Sequence, residues 1–255
     1  MRTALRSHVG KVRQINEDQA WFGQVNGHAL AAIVADGMGG HRAGEVASGL
    51  TVNSIVESLQ NWDNFELGAD AIPSLREIIR TANTTVFETA SLNEQYHNMG
   101  TTVVMAMISQ GSGLIGYIGD SRAYRIRSGQ LEQLTEDHTL VNELTKSGQL
   151  SLEEAAQHPR RNVLTRALGT DPEVAIDVQV IDWQIGDRLL LCSDGLSGMV
   201  EDELIQATLE QSELNLEQQA ERLIELALEA GGDDNITVII IADDAGANAT
   251  GGGTA

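Results

Sequence analysis

Acidic residues at the ends of apolar runs are the part of this sequence that could do chemistry. Aspartate abuts an apolar segment at Asp36-Gly37, Asp120, Asp194-Gly195 and Asp233-Asp234, and Asn16-Glu17-Asp18 adds two more carboxylates. Taken singly, an Asp-Gly pair is a common turn signal. Strand ends lie side by side in a sheet, however, so these carboxylates could converge. Converging carboxylates repel one another, and each then resists ionisation. A hard divalent cation would relieve the repulsion, because Mg²⁺ and Mn²⁺ prefer oxygen ligands. Glycine beside the aspartates would let a backbone carbonyl approach an ion closely. Arg13 precedes Glu17 and Asp18 by four and five positions. Its guanidinium could grip a phosphate in bidentate fashion, or it could be a surface arginine.

Several other chemistries are excluded. Cys192 is the only cysteine, and the position six residues on, where a phosphate-cradling arginine would be needed, is Gly198. That makes Cys192 a buried strand residue and rules out an internal disulfide. No two aspartates stand two apart, as an aspartyl-phosphate mechanism would need, and no glycine-rich loop ends in Gly-Lys-Ser/Thr. The six histidines contain no His-x-x-x-His pair, which argues against a zinc peptidase.

The elements that must position the carboxylates read as follows. Apolar segments at 3–9, 19–25 and 28–35 predict strands, the last stopping abruptly at Asp36. Ala43, Val46, Ala47, Leu50, Ile55 and Leu59 follow helical spacing, and a second helix is predicted from about Pro73, with Ser74 and Glu77 at its start. Strands follow at 101–108, 114–118, 123–127 and 130–134, spaced closely enough to suggest antiparallel hairpins. Mixed short helical pieces occupy 136–170. Strands return at 174–181 and 188–192, then helices at 201–209 and 216–230, and a last strand at 236–241. Strands and helices come in groups, which predicts an α+β fold with antiparallel sheets and helices packed outside. The Gly/Ala/Thr stretch 245–255 cannot bury apolar surface and is expected to be a disordered tail.

In this order the motifs become recognisable: Arg13-Gln-Ile-Asn-Glu-Asp18, Val34-Ala-Asp-Gly-Met-Gly-Gly-His41, Met99-Gly-Thr-Thr102, Gly119-Asp-Ser-Arg122, the run from His158 to Gly169, Ser193-Asp-Gly-Leu196 and Gly232-Asp-Asp-Asn-Ile-Thr237. The chain resembles the metal-dependent protein phosphatases of the PPM, or protein phosphatase 2C, type in their bacterial form. That resemblance implies a four-layer α-β-β-α sandwich of two antiparallel sheets flanked by helices, within one domain at 1–244, and a flap subdomain at about 136–170. It implies a serine/threonine phosphatase that uses Mn²⁺ or Mg²⁺, two ions bound tightly and a third more weakly, and attacks phosphorus with a metal-bridging water. Asp36 would bridge two ions and Gly37 offer its carbonyl. Asp194 and Asp234 would hold the first ion, and Glu17 and Asp18 would lie beside the second. Asp120 with Asp194 would hold the third, and Arg13 would hold the substrate phosphate. Many eukaryotic members place histidine directly after the Asp-Gly; here Met38 stands there and His41 follows three positions later. The general acid is therefore open between His41 and metal-bound water. His158 and Arg161 could reach substrate from the flap or cap the start of a helix.

Bulk properties agree. At 255 residues the chain fits a single domain, since compact domains stop growing near roughly 250–300 residues. The net charge, 16 − 37 = −21, argues against nucleic acid and anionic membrane as partners, and against a nuclease as an alternative two-metal enzyme. A catalytically dead member acting as a phosphoprotein sensor is the alternative of another class, disfavoured by Arg13, Asp36, Asp194 and Asp234. The N-terminus lacks a signal-peptide apolar run, and no segment approaches the ~18 apolar residues of a membrane span. The expectations are a cytoplasmic monomer acting on phosphorylated proteins, the substrates of a bacterial Ser/Thr kinase.

Overall fold

The structure, a computed structural model, describes residues 1–40, 42–62 and 67–243. His41 and the tail expected at 245–255 lie outside the described residues. Two antiparallel sheets form the centre. One runs β1 (Arg2–His8), β11 (Ile236–Ala242), β10 (Arg188–Cys192), β7 (Arg122–Arg127) and β8 (Gln130–Gln133) in spatial order. The other runs β2 (Asp18–Val25), β3 (Ala29–Met38), β5 (Val103–Ser109), β6 (Ser112–Ile118) and β9 (Asp177–Asp182), with the short β4 (Gly100–Thr101) added to the end of β3.

The continuous apolar runs are strands buried on both faces. In β3, Ala29, Ala31, Ile33 and Ala35 pack into one core, and Leu30, Ala32 and Val34 into another. In β11, Ile236, Val238 and Ile240 face one way and Ile239 and Ile241 the other. This is the period-two division that a strand between two packed layers requires. The outer layers are α1 (Ala43–Gln60) with α2 (Ile72–Leu92) on the second sheet, and α6 (Asp202–Glu210) with α7 (Leu216–Glu229) on the first. The expected four-layer sandwich is what forms. Cys192 lies in the core beneath α6 and α7, as a buried strand residue should. Among the described residues, no helix is long and apolar enough to cross a membrane.

Three local readings change. The second helix starts one residue before Pro73 and has Ala71, not Ser74, at its cap; the ring fits the first turn, where its missing N–H costs nothing. The strand expected from 174 begins at Asp177. The strands at 114–118 and 123–127 do not form a hairpin, because the chain crosses between the sheets through Gly119-Asp120-Ser121. Gly119 has φ +102°, and a Cβ there would strike Thr102, so glycine is required for this crossing.

Antiparallel pairing alone brings the acidic motifs together. The start of β2 pairs with the end of the apolar run in β3, Asp18 opposite Asp36. The same end of β3 meets the start of β5, which meets the end of β6 just before Asp120. In the other sheet, the end of β10 lies beside the starts of β11 and β7, Cys192 opposite both Val238 and Arg122. All the acidic motifs therefore sit at one end of the sandwich.

The opposite end is closed by arginine–carboxylate pairs. Arg127 binds Asp187 through Nε at 2.8 Å and also binds Asp182, and Arg125 binds Asp182 at 3.0 Å. These arginines draw the Asp182 carboxyl down to about 2.

The inter-sheet core sets an expected outcome for stability. Leu191 is fully buried between the sheets, whereas Leu204 is 50% exposed. Urea unfolding should show Leu191→Ala losing about 2–5 kcal/mol, and Leu204→Ala changing stability by no more than about 0.5 kcal/mol.

Candidate active site

Asp18 is buried and stands at the centre of the acidic end. Its Oδ2 accepts a hydrogen bond from the Ser193 hydroxyl at 2.8 Å, and Ser193 Oγ in turn accepts from the Thr237 N–H at 3.0 Å. Burial pushes the Asp18 carboxyl up to about 7, against the pull of the Thr237 and Ser193 hydrogen bonds and with help from the charges of Asp194 and Asp234. Asp36 is pushed well above the usual carboxylate range, by burial and then by the charges of Asp18, Asp194, Asp120 and Asp234. Burial, with Asp194 and Asp137 nearby, lifts Asp120 to about 8. Asp194 is raised by burial and by Asp234, partly offset by a hydrogen bond with the Asp36 carboxyl.

The backbone holds these side chains firmly. The Asp36 N–H donates to Thr102 Oγ1 at 3.1 Å, and the Asp36 carbonyl accepts from Thr101 Oγ1 at 2.8 Å and the Thr102 N–H at 2.9 Å. Asn235 is buried and clasps the 9–17 loop: its amide nitrogen donates to the Val9 and Ile15 carbonyls, and its Oδ1 accepts from the Glu17 N–H at 2.7 Å. Neither Asp-Gly pair makes a left-handed turn. A Cβ on Gly37 would collide with the Gly44 carbonyl at the start of α1, and one on Gly195 with the Asn235 carbonyl. Both glycines are needed because two backbones cross there. Glu17 lies over the first turn of α1, where burial raises its carboxyl and the Gly44 and Glu45 backbone and the Arg13 charge pull it back.

Arg13 comes to the cluster from the rim. Its Nη2 is 2.7 Å from Asp234 Oδ2, with about half of the arginine side chain exposed. Arg122 turns away from Asp120: it forms a two-pronged pair with Asp137, Nε to Oδ1 at 2.9 Å and Nη2 to Oδ2 at 2.7 Å. Beside the carboxylates opens a cavity of about 670 Å³, walled by Asp120, Asp194 and Asp234 on one side and by Arg161 and Asn162 on the other. His158 is not on that wall; its Nδ1 accepts from the Arg160 N–H and stabilises a local turn. The structure thus brings Asp18, Asp36, Asp120, Asp194 and Asp234 into one electrostatic group with Arg13 and Glu17 at its edge, and leaves His158 apart. Ser193, Thr102 and Asn235 stand within the recognised motifs, but the sequence reading gave them no role. Their signal was a polar residue at the edge of an apolar run, which occurs too often to stand out unaided.

Whether the group suits a cation can be judged from its atoms. Among the described residues, no three His, Cys, Asp or Glu side chains stand as a closed ligand cage. Yet Asp18 Oδ1 and Asp194 Oδ1 are buried without any hydrogen-bond partner, and an orphaned buried carboxylate oxygen is costly. At the far end of the sandwich arginines satisfy such oxygens; here Arg13 meets the cluster at its rim, on Asp234, and Arg122 lies beside the cavity but is paired with Asp137. All the donors are hard oxygens, so the group fits Mg²⁺ or Mn²⁺, whose charge would offset the repulsion among the carboxylates.

Comparison with known proteins gives the family. Residues 6–234 match the family described as protein phosphatase 2C. The chain is 38% identical over 244 residues to the serine/threonine phosphatase stp of Listeria monocytogenes, covering 96% of each. Its fold is similar to the crystal structure of the Mycobacterium tuberculosis serine/threonine phosphatase PstP/Ppp, with a TM-score of 0.84 and 40% identity over 94% of this chain and 97% of that one. It is also similar to the catalytic domain of the serine/threonine protein phosphatase PstP in complex with two manganese ions, at a TM-score of 0.80 and 39% identity over 94% of this chain and 96% of that one. With its motifs gathered at one end of this sandwich and a matched relative of nearly equal length, the chain belongs to the protein phosphatase 2C family.

Proposed function

We infer that this chain is a metal-dependent phosphatase that hydrolyses phosphoserine and phosphothreonine on proteins directly, without a covalent intermediate. One observation carries the reading: Asp18, Asp36 and Asp194 form a group whose carboxyls are all pushed above the usual range by burial and by neighbouring carboxylates, with Arg13 at its rim. Two Mn²⁺ or Mg²⁺ ions, when bound, would supply an acidified water as nucleophile and neutralise the phosphoryl oxygens. Asp36 would bridge them with the Gly37 carbonyl beside it, Asp194 and Asp234 would hold one, and Asp18 with Glu17 would stand by the other. Asp120 with Asp194 would hold a weaker third.

Arg13 would turn from Asp234 to the phosphate and donate two hydrogen bonds to its oxygens. Arg122 makes its ion pair with Asp137, and its charge offsets only part of the upward push on Asp120. A thiolate route is closed, since burial pushes the Cys192 thiol up to about 12 within the core. The leaving serine or threonine oxygen must gain a proton; His41 and solvent ordered at Asp120 are the candidate sources. The segment at about 136–170 would act as a flap over the substrate within one catalytic domain. In support, its helices α3 (Leu140–Lys146) and α4 (Leu152–Ala156) contain no buried residue, and Arg161 and Asn162 wall the cavity. Phosphoproteins made by a Ser/Thr kinase would be the substrates of a cytoplasmic monomer.

Chelation with EDTA should abolish turnover of a phosphothreonine peptide, and Mn²⁺ should restore it; turnover surviving thorough chelation would refute the reading. Asp36→Asn should lose more than the roughly 10–100-fold typical of an outer-shell change. The metal-free variant should nevertheless unfold at the same temperature or higher, because one repelling carboxylate is gone.

Arg13→Ala should raise KM for the same peptide by about 10–100-fold, the worth of a charge-assisted hydrogen bond of roughly 1.5–3 kcal/mol. Unchanged KM and kcat in steady-state kinetics would show Arg13 to be a surface residue paired with Asp234 and nothing more.

A further inference from the structure

His138 is nearly fully buried, yet it has no part in the reading above. It lies where three pieces of chain meet. Its own N–H donates to the Gly119 carbonyl at 2.9 Å, and the Gly119 N–H donates back to its Nδ1 at 3.1 Å. Its carbonyl accepts from the Thr165 N–H at 2.8 Å. Thr139 bridges Leu164, and the Leu140 N–H donates to the Val163 carbonyl at 2.9 Å. Residues 138–140 and 163–165 are therefore an antiparallel stem from which the segment carrying α3 and α4 projects.

The ring is fixed on every side. A backbone N–H can only donate, so Nδ1 is the acceptor and the proton sits on Nε2. Nε2 then donates to Asp177 Oδ2 at 2.9 Å, and Arg166 Nη1 shares the same oxygen at 3.0 Å. The face of the imidazole stacks on Tyr117, centroids 5.4 Å apart and planes 20° from parallel. Burial, then the Arg166 charge, lowers its basicity against the pull of Asp177, in the same sense as the acceptor role that the Gly119 N–H gives Nδ1.

The partner on the other side is the crossing turn. Gly119 has φ +102°, and a Cβ there would strike Thr102, so only glycine fits the turn as it sits. Thr102 Oγ1 is also 2.7 Å from Ser121 Oγ and accepts the Asp36 N–H. Asp120 lies between these two anchors, with His138 holding the residue before it and Thr102 the residue after.

We propose that His138 is a positioning residue: through its Nδ1 bond to the Gly119 N–H it ties the stem of the 136–170 segment to the turn that aims Asp120. The seating of that segment on the sandwich then sets the position of the Asp120 carboxylate, and so the turnover step that depends on Asp120. This rests on the reading of Asp120 above.

The two ring nitrogens can be tested separately in the full chain. His138→Asn keeps an acceptor where Nδ1 stands and drops the Asp177 contact. His138→Gln can reach Asp177 and leaves the Gly119 N–H without a partner. With a phosphothreonine peptide and saturating Mn²⁺, His138→Gln should lower kcat roughly tenfold or more with KM little changed, as loss of an outer-shell partner does. His138→Asn should restore most of it. In the Asp120→Asn background, His138→Gln should cost almost nothing further, because a residue acting through Asp120 has nothing left to act on. Equal losses for Asn and Gln, or full additivity with Asp120→Asn, would overturn the proposal and leave His138 a packing residue. Full turnover in Asp120→Asn alone would instead remove the premise about Asp120. If His138→Gln does not fold, His138→Leu, which fills the space without offering an acceptor to the Gly119 N–H, takes its place: kcat should fall with KM little changed, whereas Asp177→Leu, which spares the Nδ1 bond, should keep most of kcat. Equal kcat for His138→Leu and His138→Asn, or a loss in Asp177→Leu as large as in His138→Leu, would also overturn the proposal.

Discussion

The repulsion among carboxylates crowded at one end of the sandwich is the constraint around which the rest of the molecule is arranged. Asp36 feels Asp18, Asp194, Asp120 and Asp234 together, and Arg13 meets this group at its rim, on Asp234. The opposite end of the same two sheets treats the same residue type differently. There Arg125 and Arg127 surround Asp182, and its carboxyl is drawn down instead of pushed up. One fold thus contains a neutralised acidic end and an unneutralised one. The second makes sense as a place where the missing positive charge comes from outside the chain.

Keeping such a group together demands a rigid frame, and the frame is made of backbone. Antiparallel pairing fixes which strand ends are neighbours. Gly37 and Gly195 let α1 and the start of β11 cross the aspartate-bearing segments at distances that no Cβ would allow. Asn235 fastens the loop carrying Arg13 and Glu17 to the Asp233-Asp234 turn, and Ser193 fixes one oxygen of Asp18 while leaving the other free. The result is an acid cluster that cannot spread apart to relieve its own repulsion.

Much of this was legible in the sequence. The apolar runs ending in β3, β10 and β11 are continuous because both faces are buried, and that pattern gave the strands and the burial of Cys192. The grouping of strands and helices gave antiparallel sheets with helices outside, and the family resemblance gave the four-layer sandwich. What local patterns could not give was the identity of partners distant in the chain. Arg122 stands two residues from Asp120 in sequence but binds Asp137, because β7 carries its side chain toward the segment beyond β8. The glycines of the Asp-Gly pairs look like turn residues, yet their reason is a backbone crossing by residues seven and forty positions away. Ser74 looked like a helix cap, but the fixed φ of Pro73 lets the helix begin earlier. His138 gave no signal at all, since its partners Gly119, Thr165 and Asp177 come from three different segments.

The central claim is that a bound cation takes the place of protons held among these carboxylates. The sign follows from their raised affinities: with Asp18 at about 7 and Asp120 at about 8, the metal-free cluster still holds protons near pH 7, and a ligand that requires the ionised forms must expel them. Calorimetric titration with Mn²⁺ at pH 7, repeated in buffers of different ionisation enthalpy, counts those protons directly. The expected result is release of about one proton or more per chain on binding, falling toward none by pH 9. Tight Mn²⁺ binding with no proton release at pH 7, or release unchanged by Asp36→Asn, would contradict it.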